Sequence, residues 1–488
     1  MDEQLGALRT APAGSAAGDV VEADGRRWRV ETDALGGVLV PADRLWGAQT
    51  QRSLANFAIG TERMPHAVHH AYGLVKRAAA EVNARRGRLD PALADAIVAA
   101  ADEVAAGALD DHVVLSVWQT GSGTQTNMNV NEVVANRASV LAGGAPGTKS
   151  PVHPNDHVNR GQSSNDTFPT AVHVAAVLEL RDALRPQLDA LAAAIDERAA
   201  RWHDVVKIGR THLQDATPLT VGQEWHAWAS LLRADAGRLD DAARGLHPLA
   251  IGGTAVGTGT GSPEGFGPDV AAVLAQLTDE PFTAADDAFA ALSSSAPLLA
   301  VSAALRGLAT TLEKIADDLR WLGSGPRAGL HELALPENEP GSSIMPGKVN
   351  PTQAEAVLMV AAQVHGLDAA VAHASARANL QLHVMRPVVA YDVLRAVDLL
   401  ASACDSLRRH CIEGVELDRS RIDLAVSSSL MLVTALSPVI GYDRASAIAH
   451  DAHERGIGLR EAALDAGVGA EVFDAAVDPA RMTRPDST

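Results

Sequence analysis

Apolar residues recur at Leu305, Leu308, Leu312, Ile315, Leu319 and Leu322, in alternating steps of three and four. An α-helix turns once in 3.6 residues, so this spacing lines one helical face and predicts a seam buried against other helices. Leu188, Leu191 and Ile195 form a second run, opening at Pro186 in a first-turn position, and Trp225, Trp228, Leu232 and Leu239 form a third. From Ala354 to Ala372 the pattern is apolar nearly all round, which suits only the centre of a bundle or of an oligomer. Aromatic residues are 3% of the chain and alanine is abundant. That balance favours helices over strands, which draw on β-branched and aromatic side chains. The expected fold class is therefore all-α in the main.

The 488 residues suggest about three domain-sized units. Residues 1–25 are small and polar without an apolar period and read as a frayed tail. Residues 26–162 read as an N-terminal domain. Within it Trp28 to Gly60 is expected to be extended segments and turns, with a short strand at Val38–Val40. Residues 163–417 read as the central helical bundle. Residues 418–488, broken by Gly441, Gly456, Gly467 and Gly469, read as a small C-terminal helical domain.

Lys and Arg number 41 against 60 Asp and Glu, a net charge of −19. A chain so acidic repels phosphate backbones and anionic lipid, so no nucleic-acid or membrane partner is expected. An anionic substrate would need a positive potential built locally. Cys404 and Cys411 lie seven apart on a helical pattern and read as buried, inert thiols in a reducing compartment. The opening MDEQLGALRT lacks the basic and apolar regions of a secretory signal. Ala288 to Leu305 is uncharged, yet its serines and Pro297 make it an interior helix preceded by a polar loop rather than a membrane span. A cytoplasmic location is expected.

Four polar loops interrupt the apolar helices, each read as ending at a helix start: Gly121–Glu132, His153–Thr170, Gly209–Pro218 and Glu337–Glu355. In the first, Thr124 is expected as N-cap. In the third, Thr217 is expected as N-cap and Pro218 as the first helical residue. In the fourth, Asn350 would cap, Pro351 would open the helix and Gln353 would close a capping box. Helix N-termini carry free N–H groups and partial positive charge, so loops of this kind can bind carboxylates. Lys348 adds a full charge. The Gly341–Lys348 loop fails the phosphate-loop pattern, because Val349 stands where a Ser or Thr would hold magnesium. The run Gly252–Gly261 lacks the strand–turn–helix setting of a dinucleotide site. His331-Glu332 lacks the second histidine of a zinc helix and no Cys/His cluster exists, so no catalytic metal is expected.

The segment GSSIMPGKVNPTQAE resembles the signature of the fumarase/aspartase superfamily, and the chain from about Trp28 to Met482 is similar to class II fumarate hydratases. PADRLWGAQTQRSLANF, GSGTQTNMNVNEV, VHPNDHVN, QSSNDTFPTA, GRTHLQDATPLT, GGTAVGTG and SLMLVTALSPVIGYD stand in the family's order. The resemblance implies a three-domain helical subunit whose long central helices assemble into a homotetramer with each site shared between three subunits. It implies reversible hydration of fumarate to L-malate in the citric acid cycle, without metal or organic cofactor.

Residue by residue, the resemblance makes Ser122, Gly123, Thr124, Ser163, Ser164, Asn165 and Thr211 substrate binders. His212 becomes the proton donor and acceptor, Ser342 the base at carbon 3, and Glu355 the carboxylate paired with the histidine. Ser343, Lys348, Val349 and Asn350 become carboxylate binders, with Lys348 also stabilising the charge that develops in the reaction. His153, Pro154, Asn155 and Asp156 match a second anion site outside the active centre. Three places depart from the family: Ser150 where a basic residue is usual, Thr260-Gly261 in place of Leu-Asn, and Asp287–Ala291 in place of Asn-Lys-Phe-Glu-Ala.

The chemistry fits those residue types. Removing a proton beside a carboxylate puts a second negative charge on it, which Lys348, Asn350 and a helix N-terminus would stabilise. Hydroxide leaves poorly and needs an acid such as His212. An aspartate ammonia-lyase of the same superfamily is the alternative, and aspartases resemble GRTQLQDA where this chain has His212. A helical scaffold that has lost its chemistry is the reading from another class, but Thr124, Asn165, His212, Ser342, Lys348, Asn350 and Glu355 all stand.

Overall fold

A computed structural model describes residues 8–485. It falls into two compact units. One comprises the segment ending at Arg185 with Gly237–Gly307 and Gln363–Leu400, and the other comprises Pro186–Ala236, Leu308–Ala362 and the segment from Ala401.

The first unit opens with an antiparallel three-stranded sheet: β1 (Val20–Ala23), β2 (Arg26–Asp33) and β3 (Gly36–Pro41). The expected tail is thus wrong from residue 10 onward, where Thr10 bridges Val38; residues 1–7 lie outside the described residues. Asp24 and Gly25, both at positive φ, make the two-residue turn that pairs Ala23 with Arg26. An Asp-Gly pair is a strong hairpin signal. Trp28, Val30 and Leu39 form the small core beneath, joined by Ala11, Val21 and Ala23.

The expectation of turns up to Gly60 also fails, because Ala48–Asn56 is a helix. Its N-terminus is closed by a distant residue. The Glu132 carboxylate accepts the backbone N–H of Gly47 (2.9 Å), Gln49 (2.8 Å) and Thr50 (3.1 Å), and the Thr50 hydroxyl (2.6 Å). No local capping pattern announces it. Helices His66–Arg85, Pro91–Ala105, Thr124–Leu141 and Ser164–Glu179 pack together in this unit. Gly73 permits a close approach of the first two: a Cβ there would lie 2.5 Å from the Ala105 nitrogen.

The three apolar seams are buried. Every seam residue from Leu305 to Leu322 is at most 6% exposed, on the helix Ala296–Leu322. Leu188, Leu191 and Ile195 are buried on Arg185–Arg201, and Trp225, Trp228, Leu232 and Leu239 on Val221–Arg244. In the second unit the Trp225 ring lies between Trp202 and Trp228, 4.9 Å from each, and Trp228 Nε1 donates to Asp318 (3.1 Å). The stretch Ala288–Leu305 is two helices rather than one after a loop. Ala288–Ser293 ends at Ser294–Ser295, where the Ser294 hydroxyl accepts the Ala296 N–H before Pro297.

Cys404 and Cys411 are buried and unpaired, and burial pushes both thiols up to about 12. Short helices from Arg419 to Ala476 close around Leu436, Ile448, Leu459, Ala462 and Phe473, and Ile208 joins this core. Thr352–Ser375 is the one described helix long and apolar enough to cross a bilayer, by length and composition. Only a third of its most apolar stretch is buried within the chain.

Candidate active site

The first two polar loops come together in the first unit. Gly123, at φ 77°, is the N-cap of helix Thr124–Leu141, so Thr124 is the first helical residue and not the cap. A Cβ on Gly123 would sit 2.1 Å from the Phe168 ring, so only glycine fits this approach. The Ser122 and Thr124 hydroxyls lie 2.8 Å apart.

Ser163 caps the neighbouring helix through a capping box: its hydroxyl accepts from Asn165 N (3.2 Å), and its N–H donates to Asp166 Oδ1 (2.9 Å). The other oxygen of Asp166 accepts the N–H groups of Gly252 (3.1 Å) and Thr254 (2.9 Å), and Asn165 Nδ2 donates to Ala255 O (2.8 Å). The glycine run is therefore pinned over the Ser163–Asn165 turn. Burial pushes the Asp166 carboxyl up to about 6 against the pull of those N–H donors. In the run itself, the Thr258 and Thr260 hydroxyls meet at 3.0 Å. Asp287 of the third departure caps Ala288–Ser293 by accepting from Ala290 N (3.0 Å).

His153 caps the π-helical turn Pro154–Val158. Its Nδ1 accepts the N–H groups of Asn155 and Asp156 (both 3.2 Å), and the Asp156 carboxylate approaches within 3.5 Å. Asn155 and Asp156 are exposed.

The third loop is not a helix start. It is a hairpin of β4 (Val206–Thr211) and β5 (Gln214–Thr220), with Ile208 paired to Pro218. The helix begins after it, at Val221, where Thr220 Oγ1 accepts from Gln223 N (3.1 Å) and Gln223 Oε1 from Thr220 N (2.9 Å). The capping box thus lies three residues beyond the expected cap, because Thr217 and Pro218 are needed by the strand. Thr211 pairs with Gln214, which leaves His212 and Leu213 as the two-residue turn, both exposed and both at positive φ (57° and 58°).

Charged residues buried below anchor the hairpin. Lys207 bonds both oxygens of Glu224 (2.8 and 2.7 Å) and approaches Glu332 at 2.8 Å, and Arg210 donates to Glu332 at 2.7 Å. Lys207 and Glu332 are almost wholly buried.

The fourth loop folds back on itself. Asn350 Nδ2 donates to Gly341 O, and a Cβ on Gly341 would lie 1.9 Å from the Lys348 carbonyl. The Ser342 hydroxyl oxygen accepts the N–H groups of Ile344 (3.3 Å) and Met345 (3.1 Å). Two such donors would stabilise negative charge on that oxygen. Ser343, Lys348 and Val349 are exposed, and among the described residues Lys348 has no ion pair. The helix starts at Thr352 rather than Pro351. No capping box forms, since Asn350 is held at Gly341 and Gln353 accepts from the Ser406 hydroxyl (2.6 Å). Glu355 is exposed in the first turn. Among the described residues, no hydrogen bond or ion pair within one chain joins His212 to Glu355 or to Ser342.

Two residues that sequence reasoning passed over hold the first cluster together. Asp166 was legible as the acid three places after Ser163. Asn127 donates to the Ser164 hydroxyl (2.8 Å), and only its place within GSGTQTNMNVNE hinted at a role.

A mainly helical subunit with capped polar loops of this order is that of a lyase: a family model described as lyase matches residues 36–366, and one described as fumarase C C-terminus matches residues 432–484. The chain is 58% identical over 455 residues to the class II fumarate hydratase of Methanosarcina acetivorans, covering 93% of this chain and 94% of that one. It is 58% identical over 447 residues to that of Thermosynechococcus vestitus, covering 91% and 96%. The crystal structure of a recombinant class II fumarase from Schistosoma mansoni matches with a TM-score of 0.92 at 41% identity, covering 94% of this chain and all of the other. The chain belongs to the class II fumarate hydratase family.

Proposed function

We propose that this chain catalyses the reversible hydration of fumarate to L-malate in the cytoplasm. The observation that carries the reading is the placing of His212 at an exposed hairpin tip, between Thr211 and Gln214 in the segment GRTHLQDA. In the dehydrating direction Ser342 Oγ, as the alkoxide that the Ile344 and Met345 N–H groups would stabilise, takes the proton from carbon 3 and becomes the hydroxyl, and the adjacent carboxylate gains a second negative charge as an aci-carboxylate. Lys348 and Asn350 stabilise that charge. The carbon–oxygen bond at carbon 2 then breaks, His212 gives its proton to the departing hydroxide, and water and fumarate result. Ser122, Gly123, Thr124, Ser163, Ser164, Asn165, Thr211, Ser343 and Val349 hold the dicarboxylate. We assign no step to His153, Pro154, Asn155 and Asp156, where the Asp156 carboxylate would oppose a second anion.

The working form is a homotetramer in which one chain supplies Thr124 and Ser163–Asn165, a second Thr211 and His212, and a third Ser342–Glu355. Glu355 would meet His212 across that interface and orient its ring. The helix Thr352–Ser375 supports this, because Met359 is 68% exposed and a helix so apolar needs neighbours on every side. The test follows fumarate formation from L-malate and, separately, from L-aspartate, on purified metal-stripped protein. Turnover with malate is expected; turnover only with aspartate would make the chain an ammonia-lyase.

A further inference from the structure

Lys76 is fully buried in the helix His66–Arg85, on the face that also carries Tyr72, Val75, Ala79 and Asn83. Its Nζ donates to three neutral oxygens: Asn127 Oδ1 (2.8 Å), Asn159 Oδ1 (3.1 Å) and Gln162 Oε1 (2.9 Å). Three acceptors take three hydrogens, so the site is built for the ammonium form. Among the described residues no carboxylate forms an ion pair with it. Burial pulls its pKa down to about 7, with the charge of Asp166 opposing that fall. A buried cation held only by amides is costly unless its charge or its donors are used.

What it fixes is the direction of an amide. An ammonium can only donate, so the Asn127 carbonyl must face Lys76, and its NH2 must face the other way. That NH2 donates to the Ser164 hydroxyl oxygen (2.8 Å) and to Asn159 Oδ1 (3.2 Å). With its oxygen occupied as an acceptor, Ser164 has its own hydrogen free to donate.

We infer that Lys76 is a positioning residue for substrate binding, acting through Asn127 so that the Ser164 hydroxyl points its hydrogen at a substrate carboxylate. The inference rests on the proposed role of Ser164 as a substrate binder. It also answers the charge problem of a −19 chain, since it puts a cation behind the anion site where surface acids cannot pair with it.

The test uses the full-length enzyme and steady-state kinetics with fumarate, together with inhibition by succinate, a saturated dicarboxylate that cannot react. Asn127→Asp is the sharp variant. It keeps an acceptor for Lys76 but replaces the donor to Ser164 by an acceptor, so the hydroxyl turns its hydrogen inward. A packing role alone predicts that this change is tolerated. The relay predicts a rise of about tenfold in KM and in the succinate inhibition constant, with kcat changed much less. Lys76→Met should act in the same direction; if it does not fold, Asn127→Asp still decides. Ser164→Ala should raise KM similarly, and adding it to Asn127→Asp should cost little more, because the two remove the same contact. If Ser164→Ala raises KM but Asn127→Asp leaves it unchanged, or the two effects simply add, the relay is wrong and the role of Ser164 survives. If Ser164→Ala has no effect on KM, that role falls and the relay with it.

Discussion

His212 and Leu213 are consecutive residues in the left-handed backbone region, and together they form the whole turn of the β4–β5 hairpin. A left-handed conformation costs an L-residue with a Cβ roughly 1–2 kcal/mol, and such two-residue turns usually use Asn and Gly. Holding two non-glycine residues there means the rest of the hairpin enforces the geometry. The pairing of Thr211 with Gln214 closes the turn, and the Lys207, Arg210, Glu224 and Glu332 cluster ties its base. Backbone strain of this kind concentrates where a side chain must be held in one place for chemistry.

His212→Asn is therefore a clean probe. Asparagine tolerates the left-handed backbone, so the hairpin should fold and the melting temperature should stay near that of the wild type. Turnover should fall by about a hundredfold or more, because asparagine cannot supply the proton that the proposed mechanism asks of His212. Succinate binding should change little, since the lost interaction belongs to the transition state. Near-normal turnover would remove His212 from its role.

Glu332→Gln tests the anchoring below the hairpin. The substitution keeps the shape but leaves Lys207 and Arg210 sharing too little negative charge in a buried place. A stability loss of about 2–3 kcal/mol is expected in chemical denaturation, with a lower kcat and a nearly unchanged KM. A KM that rises as steeply as kcat falls would show that the cluster serves binding instead.

Much of this was legible in the sequence, and the failures share a cause. The seams from Leu188 to Leu322 repeat at helical spacing, and burial on one face enforces that spacing. The loops with Ser163 and Ser342 stood out because polar side chains there replace backbone partners. What escaped was long-range. The helix Ala48–Asn56 takes its cap from Glu132, and the turn carrying His212 exists because Val206–Thr211 finds a partner in Gln214–Thr220, which local capping rules read as a helix start. Nothing in the sequence around Lys76 marks it out, because Asn127, Asn159 and Gln162, which hold its ammonium group, come from distant segments.

Asp392 makes stability depend on pH. It lies 5% exposed in the helix Arg386–Leu407, and among the described residues its Oδ2 has no hydrogen-bond partner. Burial alone raises its pKa from the usual 3.8 to about 7. The folded chain then binds more protons than the unfolded one between those values, so this contribution is whole below the unfolded pKa and is lost as pH rises through about 7. Asp392→Asn removes the dependence. The variant should melt above the wild type at about pH 8, and the gap should narrow towards about pH 5. A variant that melts lower at alkaline pH would mean that the carboxylate is paired in the assembled enzyme.

The proposed three-chain site gives the last prediction. The longest described helix, Ala296–Leu322, has 27 residues and spans about 40 Å at 1.5 Å per residue, far more than a small dicarboxylate, which is the length scale behind the proposal that several chains meet around one substrate. His212→Asn and Lys348→Ala should each be nearly inactive. Refolded together in equal amounts, they should recover activity, because one chain can lend its histidine to a site whose lysine comes from another. With random mixing each intact residue arrives in half of the sites, so about a quarter receive both. Activity of the mixture near a quarter of the wild type, with hybrid tetramers confirmed by native mass spectrometry, is the expected result. Mixtures as inactive as the separate variants, despite confirmed hybrids, would place His212 and Lys348 in the same chain's site and overturn the three-chain arrangement.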